Sequence, residues 1–219
     1  MKSFLKKIFF PDSNKQKILS GPAKGMFVKY NINHRSQHLL GLYEREIYPY
    51  LRKGIKKADV LAEIGANDGY YVLAFLKTGK KVIAVEPGPI VTELIDNAKL
   101  NNYSESKDFI IERRLVGPMV SPEFVSIEKL VENFKGNKFF LVDIDGGEFD
   151  LLNSCGDHYD HKHSIWLVET HSKELEDNCI AFLKKNNYKV TLIKNAWWRK
   201  FIPEQRPLEH NRWLYAEQA

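Results

Sequence analysis

The sequence predicts an α/β fold: a seven-stranded, mostly parallel sheet with helices on both faces and an antiparallel C-terminal strand. Three observations predict it. From about residue 59 onward, short apolar segments alternate with amphipathic helical ones, the pattern of parallel strands joined by crossover helices. The first of those strands runs into LAEIGANDGYY, residues 61–71, where Gly65 and Gly69 mark a strand–turn–helix junction. The second, KKVIAVEP, closes on an acid, Glu86. In doubly wound folds an acid at that strand end hydrogen-bonds a ribose diol, so a nucleoside-bearing ligand is expected across the two strand ends.

The elements follow in chain order. Residues 1–11 set Phe4, Leu5, Ile8, Phe9 and Phe10 among Lys2, Lys6 and Lys7, and Pro11 ends the pattern. This reads as a short basic amphipathic helix packed on the domain. Its lysines also suit weak contact with an anionic membrane surface. Residues 12–37 are polar and irregular, with a short strand or hairpin arm expected at 26–32. Residues 1–37 therefore form a lead-in, and 38–219 carry the rest of a single-domain chain. Residues 38–53 read as helical, interrupted at Pro49 by a kink or by a break into two short helices. Strands are expected near 59–64, 81–86, 109–115, 138–143, 164–169, 188–194 and 211–216. Helices are expected near 70–78, 89–100, 126–134, 147–154 and 173–186. Residues 102–108 and 117–123 are loops, and 195–210, with Trp197, Trp198, Pro203 and Pro207, is a long loop or broken hairpin. The last two strands are expected to form an antiparallel tail of the sheet.

Composition narrows the class. At 43% hydrophobic and 28% charged residues, the 219-residue chain has the balance of a soluble globular protein with one full core. A net charge of +5 without a long basic run does not call for nucleic acid, and no nucleic-acid partner is expected. Cys155 and Cys179 lack metal-ligand spacing and fit a reduced, cytoplasmic setting, peripheral to the inner membrane surface if residues 1–11 touch lipid. No apolar run reaches the roughly 20 residues that span a bilayer.

The junction also bears on the ligand. A nicotinamide site carries G-x-G-x-x-G, and here Asn67 stands where the middle glycine would be, with no third glycine following. The form E-x-G-A-x-x-G resembles the first motif of S-adenosylmethionine-dependent methyltransferases. The resemblance becomes specific when the segments are taken together. IGANDGYY, VIAVEPGP, SIEKLVENF leading into FFLVDIDGGEFDLL, WLVETH and the closing HNRWLYA resemble the FkbM family of methyltransferases over residues 43–216. One departure is visible: the family's D-x-E-G-x-E stands here as Asp143, Asp145, Gly146, Gly147, Glu148. The resemblance implies a Rossmann-like class I methyltransferase that uses S-adenosyl-L-methionine to methylate a hydroxyl of a sugar, glycan or other natural product.

Site residues follow from it. Backbone from Gly65 through Ala66, Asn67 and Asp68 to Gly69, with Tyr71 opening the helix, would hold the methionine end of the cofactor, and Glu63 would attract its ammonium group. Glu86 with Pro87 would take the ribose, Arg114 and Leu115 would lie near the adenine, and Asp143 would face the cofactor's amino group or the acceptor. A β-branched side chain at Gly65 is expected to abolish binding before it abolishes folding. A hydroxyl acceptor must lose its proton, and His171 titrates in the right range. Asp143, Asp145 and Glu169 are alternatives, or could together hold a divalent ion. No metal is assigned, and His158, His161 and His163 read as part of a solvated loop. The competing functions are a nicotinamide-dependent oxidoreductase and a catalytically silent protein that keeps the cofactor as a structural ligand. Acceptor and oligomeric state are not legible.

Overall fold

Seven strands make the central sheet: β1 (Val60–Ile64), β2 (Lys81–Val85), β3 (Ile110–Glu112), β4 (Lys138–Val142), β5 (Ser164–Thr170), β6 (Tyr188–Ile193) and β7 (Arg212–Gln218). In this computed structural model the described residues are 15–118, 120–155, 159–201, 210 and 212–218. The expected helix at 1–11, His158 and residues 202–209 of the 195–210 segment lie outside them. The sheet order is β3-β2-β1-β4-β5-β7-β6. β1 pairs in parallel with β2 and β4, and β5 in parallel with β4, while β7 runs antiparallel to both β5 and β6. The chain thus passes β5, builds β6 at the edge, and returns to insert β7 between them.

The helices are α1 (Ile32–Leu40), α2 (Tyr48–Lys57), α3 (Tyr70–Leu76), α4 (Val91–Lys99), α5 (Ile127–Val131), α6 (Glu148–Asn153) and α7 (Lys173–Lys185). Every residue of β1 and β5 is buried, because a central parallel strand is covered on both faces. The period of two then sorts the side chains into two layers. Leu61, Phe139, Leu141 and Leu167 join the core beneath α2 and α3. Val60, Ala62, Phe140, Val142, Trp166 and Val168 join the core beneath α6 and α7, where the Phe140 and Trp166 rings stack at 4.3 Å.

Several boundaries differ from expectation for local reasons. Pro49 does not kink a helix over 38–53. It stands in the first turn of α2, where its missing N–H costs nothing. The expected strand at 26–32 is only Phe27–Val28, paired antiparallel with Gln16–Lys17. The third strand stops at Glu112, short of 115, because Arg114 folds back on Glu112 through its backbone N–H and guanidinium, and Arg113 pairs with Glu105. Leu115–Val116 then pairs in parallel with Phe124–Val125, outside the main sheet.

One tie fixes α2 to β7. Lys57 Nζ donates to Glu217 Oε2 at 2.7 Å, Lys53 Nζ donates to Oε1, and the Tyr215 hydroxyl donates to Oε2 at 3.0 Å. Burial alone would raise the Glu217 carboxyl, but these bonds outweigh it and hold it down to about 2. A depressed carboxylate stabilises the fold above its ordinary pKa of about 4.3, and that contribution fades as pH falls toward the folded value. Glu217→Gln should therefore lower the melting temperature at neutral pH by about 2–4 °C, equivalent to ~1 kcal/mol for a tie whose lysines are half exposed. The gap from wild type should close between pH ~4.3 and about 2. Thermal melts across that range check it; a gap as wide at the acid end as at neutral pH would contradict the account.

Candidate active site

A cavity of about 520 Å³ opens at the C-terminal edge of the sheet, where the ends of β1, β2 and β4 meet the 115–118 loop. Gly65 makes this opening possible. It has φ +86°, a conformation side-chain-bearing residues rarely adopt, and a Cβ there would lie 1.8 Å from the carbonyl oxygen of Asp143. Asn67 follows in the left-handed region at φ +48°. Glu86 stands just past β2 and lines the cavity, with Oε2 accepting the Asn67 N–H at 2.8 Å and Oε1 the Gly88 N–H at 2.7 Å. The acid thus locks the β1 and β2 turns together, and each oxygen keeps a second lone pair for a ligand hydroxyl. Pro87, Leu115, Val116 and Phe124 form an apolar wall, while Asp143 and Asp145 border the other side.

Other sequence-predicted residues sit elsewhere. Glu63 lies within β1, 3% exposed, on the layer that faces α3. Burial and the charges of Asp68 and Asp143 push its carboxyl well above the ordinary glutamate range, against a hydrogen bond from the Val72 N–H. Asp68 is buried between Tyr30, whose hydroxyl donates to Oδ1 at 3.0 Å, and Arg35, 2.9 Å from Oδ2. Ala66 is buried, and the Tyr71 hydroxyl donates to Glu44 at 2.8 Å inside the core. Gly69 leaves room for a neighbouring helix: a Cβ there would lie 2.8 Å from Leu94 of α4. Arg114 is held by Glu112 at the surface. None of these six side chains lines the cavity.

Behind Asp143 is a denser cluster. Parallel register sets Leu141 beside Leu167 and Val142 beside Val168, so the next step brings Asp143 alongside Glu169. His171 follows two residues later, its Nε2 3.8 Å from Asp143 Oδ1, 3.7 Å from Glu169 Oε2 and 3.5 Å from Asp145 Oδ1. Its Nδ1 is hydrogen-bonded to Glu148 Oε1, and Glu148 is fully buried at the start of α6. Burial alone would lower the imidazole pKa, but the Glu148 bond and the charges of Glu148, Asp143 and Asp145 outweigh it, and the net direction is upward. Tyr43, between α1 and α2, feels the charges of this cluster: burial first, then Glu44, Asp143 and Glu169, hold its phenol well above its usual pKa.

His161 hydrogen-bonds the Tyr188 hydroxyl, and His163 bonds Asn137 and faces Asp160. They form no metal cluster among the described residues. Sequence reasoning passed over Val116, Phe124 and Asp150 of the cavity, and Arg35 over the Asp68 turn. A lone arginine in a polar lead-in carries no signal of that contact. Glu148 is visible in the sequence as the last acid of the Asp143–Glu148 motif, but its bond to His171 depends on tertiary packing.

No protein-family model matches the chain, and no curated protein sequence matches it. Its backbone is similar to solved structures at low identity. One is a methyltransferase FkbM from Methylobacillus flagellatus KT (TM-score 0.54, 15% identity, covering 73% of this chain and 44% of that one). Another is an O-methyltransferase from Bacillus cereus in complex with SAH (TM-score 0.53, 12% identity, 80% of each chain). A third is an rRNA methylase from Streptococcus thermophilus (TM-score 0.54, 10% identity, 80% of this chain and 97% of that one). The fold is the Rossmann-like fold of class I methyltransferases. The chain spans less than half the length of the FkbM structure. Among the described residues, no helix is long and apolar enough to cross a membrane.

Proposed function

We propose that the protein is an S-adenosyl-L-methionine-dependent methyltransferase that methylates a hydroxyl group of a sugar, glycan or other natural product. The observation that carries the reading is the cavity at the strand ends, with Glu86 fastened across the β1 and β2 turns and an apolar wall beside it. A volume of about 520 Å³ lies within the roughly 300–1,000 Å³ of small-molecule sites. The donor chemistry fits: a carboxylate for two ribose hydroxyls, Leu115, Val116 and Phe124 for a flat base, and Asp143 for a cationic end. The resemblance of the whole motif series to the FkbM family supports the acceptor class.

Held there by Glu86, the apolar wall and Asp143, the cofactor would supply an electrophilic methyl group to the acceptor oxygen and would leave as the neutral thioether. The chain's own task is to hold the acceptor in line, exclude water and receive the hydroxyl proton. The cluster of Asp143, Glu169 and His171, next to the cavity, is where the proton would go.

Glu86→Ala should weaken S-adenosylmethionine binding at least tenfold, since charge-assisted hydrogen bonds contribute about 1.5–3 kcal/mol each. Calorimetry with the folded variant checks this; unchanged affinity would remove Glu86 from the site. Transfer of a labelled methyl group to a panel of hydroxylated sugars tests the acceptor class. RNA belongs in the same panel, because the chain carries a net charge of +5 and shares its fold with an rRNA methylase. Labelling of RNA alone would contradict the proposed acceptor.

A further inference from the structure

We propose that Asp143, Glu169 and His171 bind one divalent transition-metal ion beside the cavity. The methyl-transfer reading supplies what the ion would do there; the side chains alone decide whether it binds. One donor atom from each residue lies within 4.8 Å of the others. Two ligands each about 2.1 Å from a shared ion stand about 3–4 Å apart. The 3.8 Å and 3.7 Å from His171 Nε2 to Asp143 Oδ1 and Glu169 Oε2 fall in that range.

The imidazole adds an independent observation. The His171 side chain is 10% exposed, and its Nε2 is buried without a hydrogen-bond partner while facing the carboxylates. Its other ring nitrogen is taken by Glu148, which is fully buried. A metal-ligating histidine needs this division of labour: one nitrogen held by a carboxylate, which orients the ring, and the other facing the ion, which displaces its proton on binding.

The donor set also narrows the ion. Two carboxylates suit hard cations and an imidazole suits borderline ones, so Mn²⁺, Fe²⁺ or Zn²⁺ fits better than Ca²⁺. Three protein ligands leave coordination positions open, and an acceptor oxygen bound at one would lose its proton more readily. Asp143 borders both the cluster and the cavity, so that oxygen would sit at the edge of the cavity.

The test is a titration of the full chain, treated with chelator and desalted, with Mn²⁺ and no cofactor, read by the electron paramagnetic resonance of the free ion. Wild type should bind about one Mn²⁺ per chain, and Glu169→Gln and His171→Gln should each weaken binding at least about tenfold. Circular dichroism in chelator confirms that the variants fold. No loss of free-ion signal in wild type, or equal binding by wild type and folded variants, would overturn the proposal. Should the variants unfold, nitrogen NMR of the wild-type histidine rings under Zn²⁺ replaces them: a shifted His171 ring supports the site and an unshifted one overturns it. The same wild-type sample is titrated with S-adenosylmethionine. Metal binding without cofactor binding would contradict the methyl-transfer reading and leave this site standing; cofactor binding without metal would do the reverse.

Discussion

Gly65→Val should lower the melting temperature by about 4–20 °C and remove cofactor binding with it. An L-residue at φ +86° costs roughly 1–2 kcal/mol. The new Cβ would also start 1.8 Å from the Asp143 carbonyl oxygen, which is backbone and cannot rotate away. The end of β1 or β4 must shift, an overpacking cost of about 1–3 kcal/mol. Together these come to about 2–5 kcal/mol, at roughly 2–4 °C per kcal/mol for a domain of this size. The sequence alone suggests a loss of binding ahead of folding; contact with the end of β4 joins the two losses, because the backbone that would move is that of Asp143, which borders the cavity. Gly79→Ala is the control. Gly79 has φ +70° but open space around it, so only the backbone strain applies. Thermal melts of both variants decide the point, and equal losses at the two positions would show that the contact with Asp143 does not matter.

Glu169→Gln should lower turnover by about 10²–10⁴ while changing S-adenosylmethionine affinity only a few-fold. Glu169 is 1% exposed and does not line the cavity, so its loss bears on the acceptor side rather than on the cofactor. With a cation at the cluster, chelation stops turnover and Glu169→Gln costs more than His171→Ala. If His171 alone takes the proton, His171→Ala costs more and chelator changes nothing. Single-turnover methyl transfer by both variants, with and without chelator, separates the two. Full activity in every variant would place acceptor deprotonation elsewhere.

The sheet was legible because its strands follow a simple rule: VLAEI, KVIAV, KFFLV and SIWLVET are apolar runs of central-strand length bounded by turns. Gly65, Asn67, Glu86, Pro87, Leu115, Asp143 and Asp145 were legible as cavity residues because strand order places the ends of β1, β2 and β4 at one edge. What stayed hidden depends on which way a buried side chain points. Glu63 and Tyr71 are next to the turn in sequence, yet the strand and helix periods aim both into the core. Gly69 reads as a ligand glycine, but Leu94, 25 positions further on, needs that space. Arg113 and Arg114 pair with nearby acids and bend the chain off the sheet, which shortens β3. The bond between Glu148 and His171 spans 23 residues and two elements, and no local pattern announces it.

The claim that the cavity is a cofactor site is tested most directly by calorimetry of the purified full chain with S-adenosylmethionine and, separately, with NAD. The account predicts saturable one-to-one binding of S-adenosylmethionine, weakened at least about tenfold in Glu86→Ala, and no heat with NAD. Heat with NAD that Glu86→Ala removes, or none with S-adenosylmethionine, would contradict it.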